Sequence, residues 1–473
     1  MTNYIPTIGI EVHVELKTNT KIFSDSLNGY GEKANSLTNV IDLGYPGTLP
    51  KLNENVVNLA LKAAIILNCK IRKKMHFDRK NYFYPDISKN YQITQQDTPI
   101  GYDGYVEIEV DGKKKKIGIE EMHIEEDTCK STHLSNQSFL DFNRAGVPLI
   151  EIITKPCISS SKEAKLYLEK LKELLFYSDI SDCKMEEGSM RCDTNVSIRK
   201  NEKDPLGTKC EIKNISSISN VGISIEKEII RQSKLLDANK TFSEETRRYD
   251  DKLNDTVLMR KKETGNDYRY FPEPDIPYLY ITDEMIENAK NTIVMLPDER
   301  RKLYLSIGLS EINANKLIQN KPLSDYFNEL LKHKTNYIIA SNLLLGDISA
   351  YLNKTSKSIM DTTLTIDRFI DLISKIDSNI LTSKNVKDII DKVLEEKSSI
   401  DAIMKECKIE NISDDKALRE IIKKVIEENP NSVTDYKNGH DRAIKYLMGQ
   451  VMKETKGSAN PKIAMDILKE ELE

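Results

Sequence analysis

Residues 8–16 read Ile8-Gly9-Ile10-Glu11-Val12-His13-Val14-Glu15-Leu16. Side chains of an extended strand alternate between two faces. Ile8, Ile10, Val12, Val14 and Leu16 therefore share one face, and Glu11, His13 and Glu15 the other. Arg191-Cys-Asp-Thr-Asn-Val-Ser-Ile-Arg199 repeats the arrangement, with Cys192, Val196 and Ile198 opposite Arg191, Asp193, Asn195, Ser197 and Arg199. Lys209-Cys-Glu-Ile-Lys213 repeats it more briefly. Such strands predict an antiparallel sheet with one face on a core and one face wet. Three wet faces this rich in charge would line one cavity.

Helices interrupt these strands. Residues 55–68 carry apolar positions at helical spacing, and 219–236 form a second amphipathic segment. Between them Ser160-Ser-Lys-Glu163 is a capping box before 164–176, where Leu168, Leu171 and Leu175 mark a stripe. Strands and helices do not alternate regularly, so the expected class is α+β. Prolines at 272, 274, 277 and 297 change the texture, and beyond them the pattern is mostly helical. The expected organisation is an antiparallel-sheet domain at 1–294, an all-α domain at 295–408 and a helical tail at 409–473. That agrees with about three domains at roughly 150 residues each for a chain of 473.

Composition narrows the function. Hydrophobic residues make up 39% and charged residues 31%, a globular balance. The longest apolar stretches, Ala63–Leu67 and Val147–Ile153, fall far short of the ~20 residues of a membrane span. The first residues lack the basic and apolar regions of a signal peptide, so a cytoplasmic protein is expected. Net charge is −5, which excludes a generally basic coat but not a local nucleic-acid patch. Only about fifteen of the seventy basic residues are Arg, the residue of planar bidentate recognition, so each Arg is informative. Seven scattered cysteines form no C-x-x-C pair and read as reduced thiols, with no zinc ribbon.

Carboxylates with one histidine are the strongest chemical feature. Glu11 and His13 share the wet face of the first strand, and Asp193 that of another. Glu151 sits inside Leu149-Ile-Glu-Ile-Ile153, where a buried carboxylate needs a cation nearby. His123-Ile-Glu-Glu-Asp127 adds more acid. Several oxygens and one imidazole suit Mg²⁺ or Mn²⁺ better than Zn²⁺. Each residue alone is most often part of a solvated face; the assembly is what carries the signal.

Asp78-Arg-Lys-Asn-Tyr-Phe-Tyr-Pro-Asp86 combines cations and aromatics able to bind phosphates and stack a base, or to form an ordinary turn over a buried aromatic cluster. Tyr268-Arg-Tyr-Phe-Pro-Glu-Pro-Asp275 repeats that chemistry, with prolines fixing the approach of Glu273 and Asp275. Phe142-Asn-Arg-Ala-Gly146 would bring Arg144 toward the Glu151 strand. No G-x-x-x-x-G-K-[ST], G-x-G-x-x-G or kinase signature is present, so any ATP is handled outside the common nucleotide folds. Cys129 precedes His133 by four residues, but no cysteine-hydrolase signature accompanies the pair. Near the carboxy end Lys437, Arg442, Lys445, Lys453, Lys456 and Lys462 outnumber Asp435, Asp441 and Glu454. This fits RNA-backbone contact, or a solvated helical face.

Together these blocks resemble the B subunits of the aspartyl/glutamyl-tRNA(Asn/Gln) amidotransferases. The resemblance runs through 8–16, Phe77–Asp86, His123–Asp127, Lys130-Ser-Thr-His133, Met185–Asp193, Asp267–Asp275 and Gly449–Pro461, in order along the whole chain. It implies a cytoplasmic three-subunit ligase that corrects misacylated tRNA, with a glutaminase A subunit and a small C subunit. The B subunit would bind tRNA and use ATP and Mg²⁺ to phosphorylate the side-chain carboxylate of aspartyl- or glutamyl-tRNA. Ammonia channelled from A would then displace phosphate. It also implies a strand-built cradle, a helical domain and a mobile tRNA-binding tail. By position, Glu11, His13, Glu151 and Asp193 become catalytic, and the metal set becomes these with Glu125 or Glu126, between which the strand pattern does not choose. Arg79, Lys80, Arg144, Arg191 and Arg269 become phosphate or acceptor-end contacts, and Lys437, Arg442, Lys445, Lys453 and Lys456 the tRNA-binding tail. Many relatives carry two cysteine pairs that bind zinc; Phe23-Ser-Asp-Ser26 and Val40-Ile-Asp-Leu43 here have none, so no zinc is expected. The alternatives are a tRNA-binding scaffold whose ATP chemistry resides elsewhere and a stand-alone metal-dependent hydrolase.

Overall fold

The alternating stretch at 8–16 lies, but for its last residue, in β1 (Ile5–Glu15) of a computed structural model that describes residues 4–261, 268–409, 415–437, 440–455, 459 and 461–472. The chain divides into two compact units, Met1–Leu296 and Pro297–Glu473. The first is mixed α+β and the second is helical, as the expected class requires.

In the first unit β1 is followed by α1 (Glu54–Ile66), β2 (Lys70–Ile71), β3 (Gly101–Val110), β4 (Lys113–Glu126) and β5 (Pro148–Thr154). Then come α2 (Ser161–Tyr177), β6 (Met190–Arg199), β7 (Cys210–Lys213), α3 (Ile218–Asp237), β8 (Glu245–Asp250) and β9 (Asp255–Lys261). The nine strands form one sheet in the order β9-β8-β7-β6-β1-β5-β4-β3-β2. Every pairing is antiparallel except β7 with β8. The first strand read from the sequence is thus the central one, hydrogen-bonded to β5 on one side and β6 on the other.

One face of this sheet is the core. Ile8, Ile10, Val12 and Val14 are at most 1% exposed and join Ile150, Ile152, Val196 and Ile212 from neighbouring strands. The helices cover that face because their apolar stripes match it: Ala164, Leu168, Leu171 and Leu175 of α2 and Val221 and Ile225 of α3 belong to the same cluster. Removing each such Leu or Ile from water is worth about 1.5–3 kcal/mol, which fixes the register and leaves the odd-numbered residues of β1 on the opposite face.

The start of α2 differs in one detail from a capping box. Ser160 accepts from the Glu163 backbone N–H at 3.1 Å, as expected. Glu163 instead accepts from the Ser159 N–H at 2.8 Å and pairs with Lys115 of β4 at 2.7 Å. The cross-strand ammonium draws the carboxylate one residue back and ties α2 to the sheet.

A small separate sheet joins Asp78–Asn81 to Tyr91–Thr94 and to Phe271–Pro272. In the second unit, helices from Pro297 to Leu472 include a distinct apolar cluster formed by Leu418, Ile422, Leu447, Val451, Ile467 and Leu468. Among the described residues no helix is long and apolar enough to cross a membrane.

Candidate functional site

Strand register assembles the site. His13 lies opposite Glu151 of β5 and Arg191 of β6, and Glu151 lies opposite His123 of β4. Glu11 lies opposite Asp193 of β6. Residues distant in sequence therefore become neighbours because side chains at paired positions share a face. Glu11, His13, Glu151, Arg191 and Asp193 line a cavity of about 1140 Å³ on the open side of the sheet, together with Lys80, Glu125, Asp127, Glu211 and Lys213, while His123 is buried behind Glu151.

Glu151, the carboxylate in an apolar run, has its cations. Its Oε2 is 2.8 Å from His123 Nε2 and its Oε1 is 3.6 Å from His13 Nε2. Burial alone would raise its carboxyl, but the His123 hydrogen bond and the charges of His13 and His123 hold it well below the usual range. His123 is correspondingly pushed up to about 10: burial opposes its charge, and Glu125 and Glu151 overcome that opposition. Glu125 Oε1 lies 3.5 Å from His13 Nε2.

A second acidic group stands beside the first. Glu11, Asp193 and Glu211 place carboxylate oxygens within 4.8 Å of one another, as do the donor atoms of His13, Glu125 and Glu151. Lys213 serves two of these acids, at 2.6 Å from Asp193 and 3.3 Å from Glu211. Glu11 is held by Asn195, whose Nδ2 donates to it at 2.8 Å. Burial, then Glu151 and Asp193, raise its carboxyl. The wall thus gathers more negative charge than its lysine neutralises, a donor set of oxygens and one imidazole that fits a hard divalent cation.

Geometry sets Glu125 and Glu126 apart. Glu125 lines the cavity. Glu126 does not join it: its carboxylate is 2.6 Å from Lys89 Nζ and accepts from the Ile93 N–H at 2.9 Å, on the side of the small sheet.

The arginines divide similarly. Arg191 lines the cavity with its Nη2 2.7 Å from Asp127 Oδ2. Arg144 is 3.4 Å from the same carboxylate and donates to the Thr128 and Cys129 carbonyls, facing a neighbouring cavity of about 640 Å³. Lys80 lines the main cavity with its ammonium 5.0 Å from the Tyr268 ring centre. Arg79 is committed elsewhere: it grips Glu273 at 2.6 and 2.8 Å and Asp275 at 3.0 Å, bolting Asp78–Asn81 to the 271–275 segment. Arg269 borders a third cavity of about 900 Å³ that shares Tyr268 and Arg260 with the main one.

Sequence reasoning placed Glu211 and Lys213 on a cavity-lining face and His123 and Asp127 in an acidic block, but gave none of the four a role. His123 and Glu125 are two apart on one strand, and Glu211 and Lys213 on another; that alternation was the available signal. Cys129 and His133 form no reactive pair. Burial and Asp86 raise the Cys129 thiol to about 11, and His133 Nδ1 is instead 2.8 Å from Ser138 Oγ.

Comparison with known proteins follows the same division of the chain. Residues 6–287 match the family described as the GatB/GatE catalytic domain, and 325–472 match the GatB domain. The B subunit of the aspartyl/glutamyl-tRNA(Asn/Gln) amidotransferase of Geobacillus kaustophilus (strain HTA426) is 49% identical over 472 residues, 99% of each chain. The chain belongs to the amidotransferase B-subunit family. Its counterpart in Geobacillus thermodenitrificans (strain NG80-2) is likewise 49% identical over 99% of each chain. The counterpart in Bacillus mycoides (strain KBAB4) is 47% identical over 98% of each.

In this family member the Phe23–Ser26 and Val40–Leu43 segments are joined directly. Ser24 and Ser26 hydroxyls donate to Asp42 at 2.7 and 2.6 Å, and fully buried Lys21 lies 3.3 Å from the same carboxylate. In the helical unit Arg442, Lys445 and Lys453 occupy the exposed face of Asp441–Glu454, opposite buried Ile444, Leu447 and Val451. Lys437 is exposed on Pro430–Lys437. Lys456 lies outside the described residues.

Proposed function

We propose that the open face of the sheet is where this amidotransferase chain activates the side-chain carboxylate of a misacylated tRNA. As a member of the family, the chain is a subunit of an ATP-dependent, glutamine-using ligase that converts misacylated Asp-tRNA(Asn) or Glu-tRNA(Gln). In this reading it works in the cytoplasm with an A subunit that releases ammonia and a C subunit that joins them.

The convergence of Glu11, His13, Glu125, Glu151 and Asp193 in one cavity carries the reading. His13, Glu125 and Glu151, with Glu11 and Asp193, are the residues that would hold Mg²⁺, which when bound neutralises ATP phosphates. His123 keeps Glu151 ionised and oriented from behind. Lys80, Arg191 and Lys213 supply fixed positive charge where two anions must meet. A substrate carboxylate oxygen attacks the γ-phosphorus of ATP and ADP leaves. Ammonia then attacks the acyl carbon, phosphate leaves, and the amide remains. Positioning and charge neutralisation supply most of the acceleration in such transfers. The exposed cations Lys437, Arg442, Lys445 and Lys453 would contact the tRNA backbone, within a tail at 409–473.

The test is formation of phosphorylated aminoacyl-tRNA by the assembled complex carrying Glu11→Gln or His13→Ala. The expected result is a fall of about 10²–10³-fold. Undiminished formation would return the chain to a tRNA-binding scaffold.

A further inference from the structure

The Tyr82-Phe83-Tyr84 turn leaves two of its three aromatics exposed. Phe83 is 83% exposed and Tyr84 64% exposed, and both line the cavity of about 900 Å³ that shares Tyr268 and Arg260 with the main one. A folded chain leaves a large ring this exposed at a cost in unburied apolar area, and two adjacent rings facing one hollow form a patch that marks a binding surface. Exposed Arg260 and Arg269 line the same hollow and make it cationic. Arg269 stands in the left-handed region, with φ 47°, a conformation that costs a non-glycine residue about 1–2 kcal/mol. Asn81 holds that strained segment, its Nδ2 donating to the Arg269 carbonyl at 2.9 Å and its N–H to the Tyr268 carbonyl at 3.0 Å. Strain retained beside a hollow points to a purpose for the side chain it aims.

Flat apolar rings and guanidinium groups lining one hollow are the chemistry of a single-stranded nucleic-acid site: rings stack bases and cations meet phosphates. The hollow opens beside the carboxylate wall through Tyr268 and Arg260, so a strand lying here ends in the main cavity. We infer that Phe83 and Tyr84 are a stacking platform for the unpaired 3′-terminal nucleotides of the substrate tRNA, with Arg260 and Arg269 on the phosphates, so that the esterified amino acid reaches Glu11 and His13. This rests on the reading of the main cavity given above and adds how the substrate is positioned in it. Stacking is indifferent to the amino acid, so the platform serves aspartyl and glutamyl ends alike and leaves their discrimination to the cavity.

The test uses the assembled enzyme and a misacylated tRNA carrying 2-aminopurine in place of its 3′-terminal adenine, a base whose fluorescence is quenched by stacking. Binding to the unaltered enzyme is expected to quench it several-fold. The Phe83→Ala/Tyr84→Ala variant should lose that quenching and raise KM for the tRNA roughly tenfold, with a smaller change in kcat. Phe83→Tyr/Tyr84→Phe, which keeps both rings, should restore both. Phe139→Ala, which removes a 52% exposed ring from the Gln137–Asp141 strand, should change neither. Quenching that persists in the double-alanine variant, or ring-retaining replacements that fail to rescue, would overturn the platform. Because the signal reports binding and not turnover, it separates the two readings. Lost quenching in the double-alanine variant, with undiminished phosphorylation by Glu11→Gln, keeps the platform and sinks the chemistry assigned to the main cavity.

Discussion

Two acidic groups in the first unit look alike in sequence and opposite in structure. Around Asp42 every charge is matched: two serine hydroxyls and the Asn39 N–H reach its carboxylate, and the buried Lys21 ammonium stands 3.3 Å away. On the open face of the sheet Glu11, Asp193 and Glu211 crowd within 4.8 Å with Lys213 beside only two of them. Burial penalises both groups. In the first, fixed partners offset the penalty and the result is architecture. In the second, burial with Glu151 and Asp193 outweighs Lys213 and leaves the Glu11 carboxyl raised, and that excess of negative charge is the opening for a ligand. Matched charge holds a loop; unmatched charge binds something.

The sharpest way to break that comparison is to unmatch the matched group. Asp42→Ala leaves the Lys21 ammonium buried with the Phe142 carbonyl at 3.1 Å and no carboxylate beside it, and burial already lowers the Lys21 pKa. The expected loss is about 3–5 kcal/mol, read as a large fall in the denaturant midpoint of the purified chain. Asp42→Asn keeps acceptors for Ser24 and Ser26 and should lose less. A change under about 0.5 kcal/mol would show that the serine–aspartate network does not hold these two segments together.

The open face was legible in the sequence because one side of it faces solvent. Where a strand has a helix-covered side and a wet side, alternation is plain, and it selected Glu11, His13 and Asp193 without any knowledge of register. It failed at Glu125 and Glu126 for a physical reason. There the second side is covered too, by the Tyr91–Thr94 strand, so residues 123–127 are all buried and the pattern is flat. Arg79 shows a different limit. Its motif offered a free guanidinium, but its partner Glu273 is 194 residues away, and a pairing across that distance leaves no local trace. Strand face put Lys213 on the cavity side, but which acids it and His123 would meet depends on strand order, which is not written in a period.

Relieving the unmatched group should do the reverse of Asp42→Ala. A carboxyl raised by burial binds its proton more readily when folded than when unfolded. Stability is therefore lost as pH rises above the ordinary carboxylate value of about 4.3. With a chelator present, Glu11→Gln should stabilise the chain by roughly 0.5–2 kcal/mol at neutral pH, a gain typical of removing strain from a functional site. The gain should shrink as pH falls below about 4, where Glu11 becomes protonated in both states. Added Mg²⁺ should stabilise the unaltered chain more than the variant. Equal melting curves across pH would mean that Glu11 is matched after all.

The smallest effect is expected where water does the matching. Arg442, Lys445 and Lys453 lie on an exposed helix face, so replacing all three by Ala should shift stability by no more than about 0.5 kcal/mol each. Their effect belongs in the salt dependence of tRNA binding. Each phosphate contact removed should flatten the slope of log K against log salt by about 0.7–0.9. The triple variant should therefore flatten it by about 2 or more while sparing phosphorylation at saturating tRNA. An unchanged slope would place the tRNA contacts elsewhere and make this stripe an ordinary solvated face. A lost slope with intact folding would extend the comparison to a third case, in which exposed charge leaves the architecture alone and acts only on a partner.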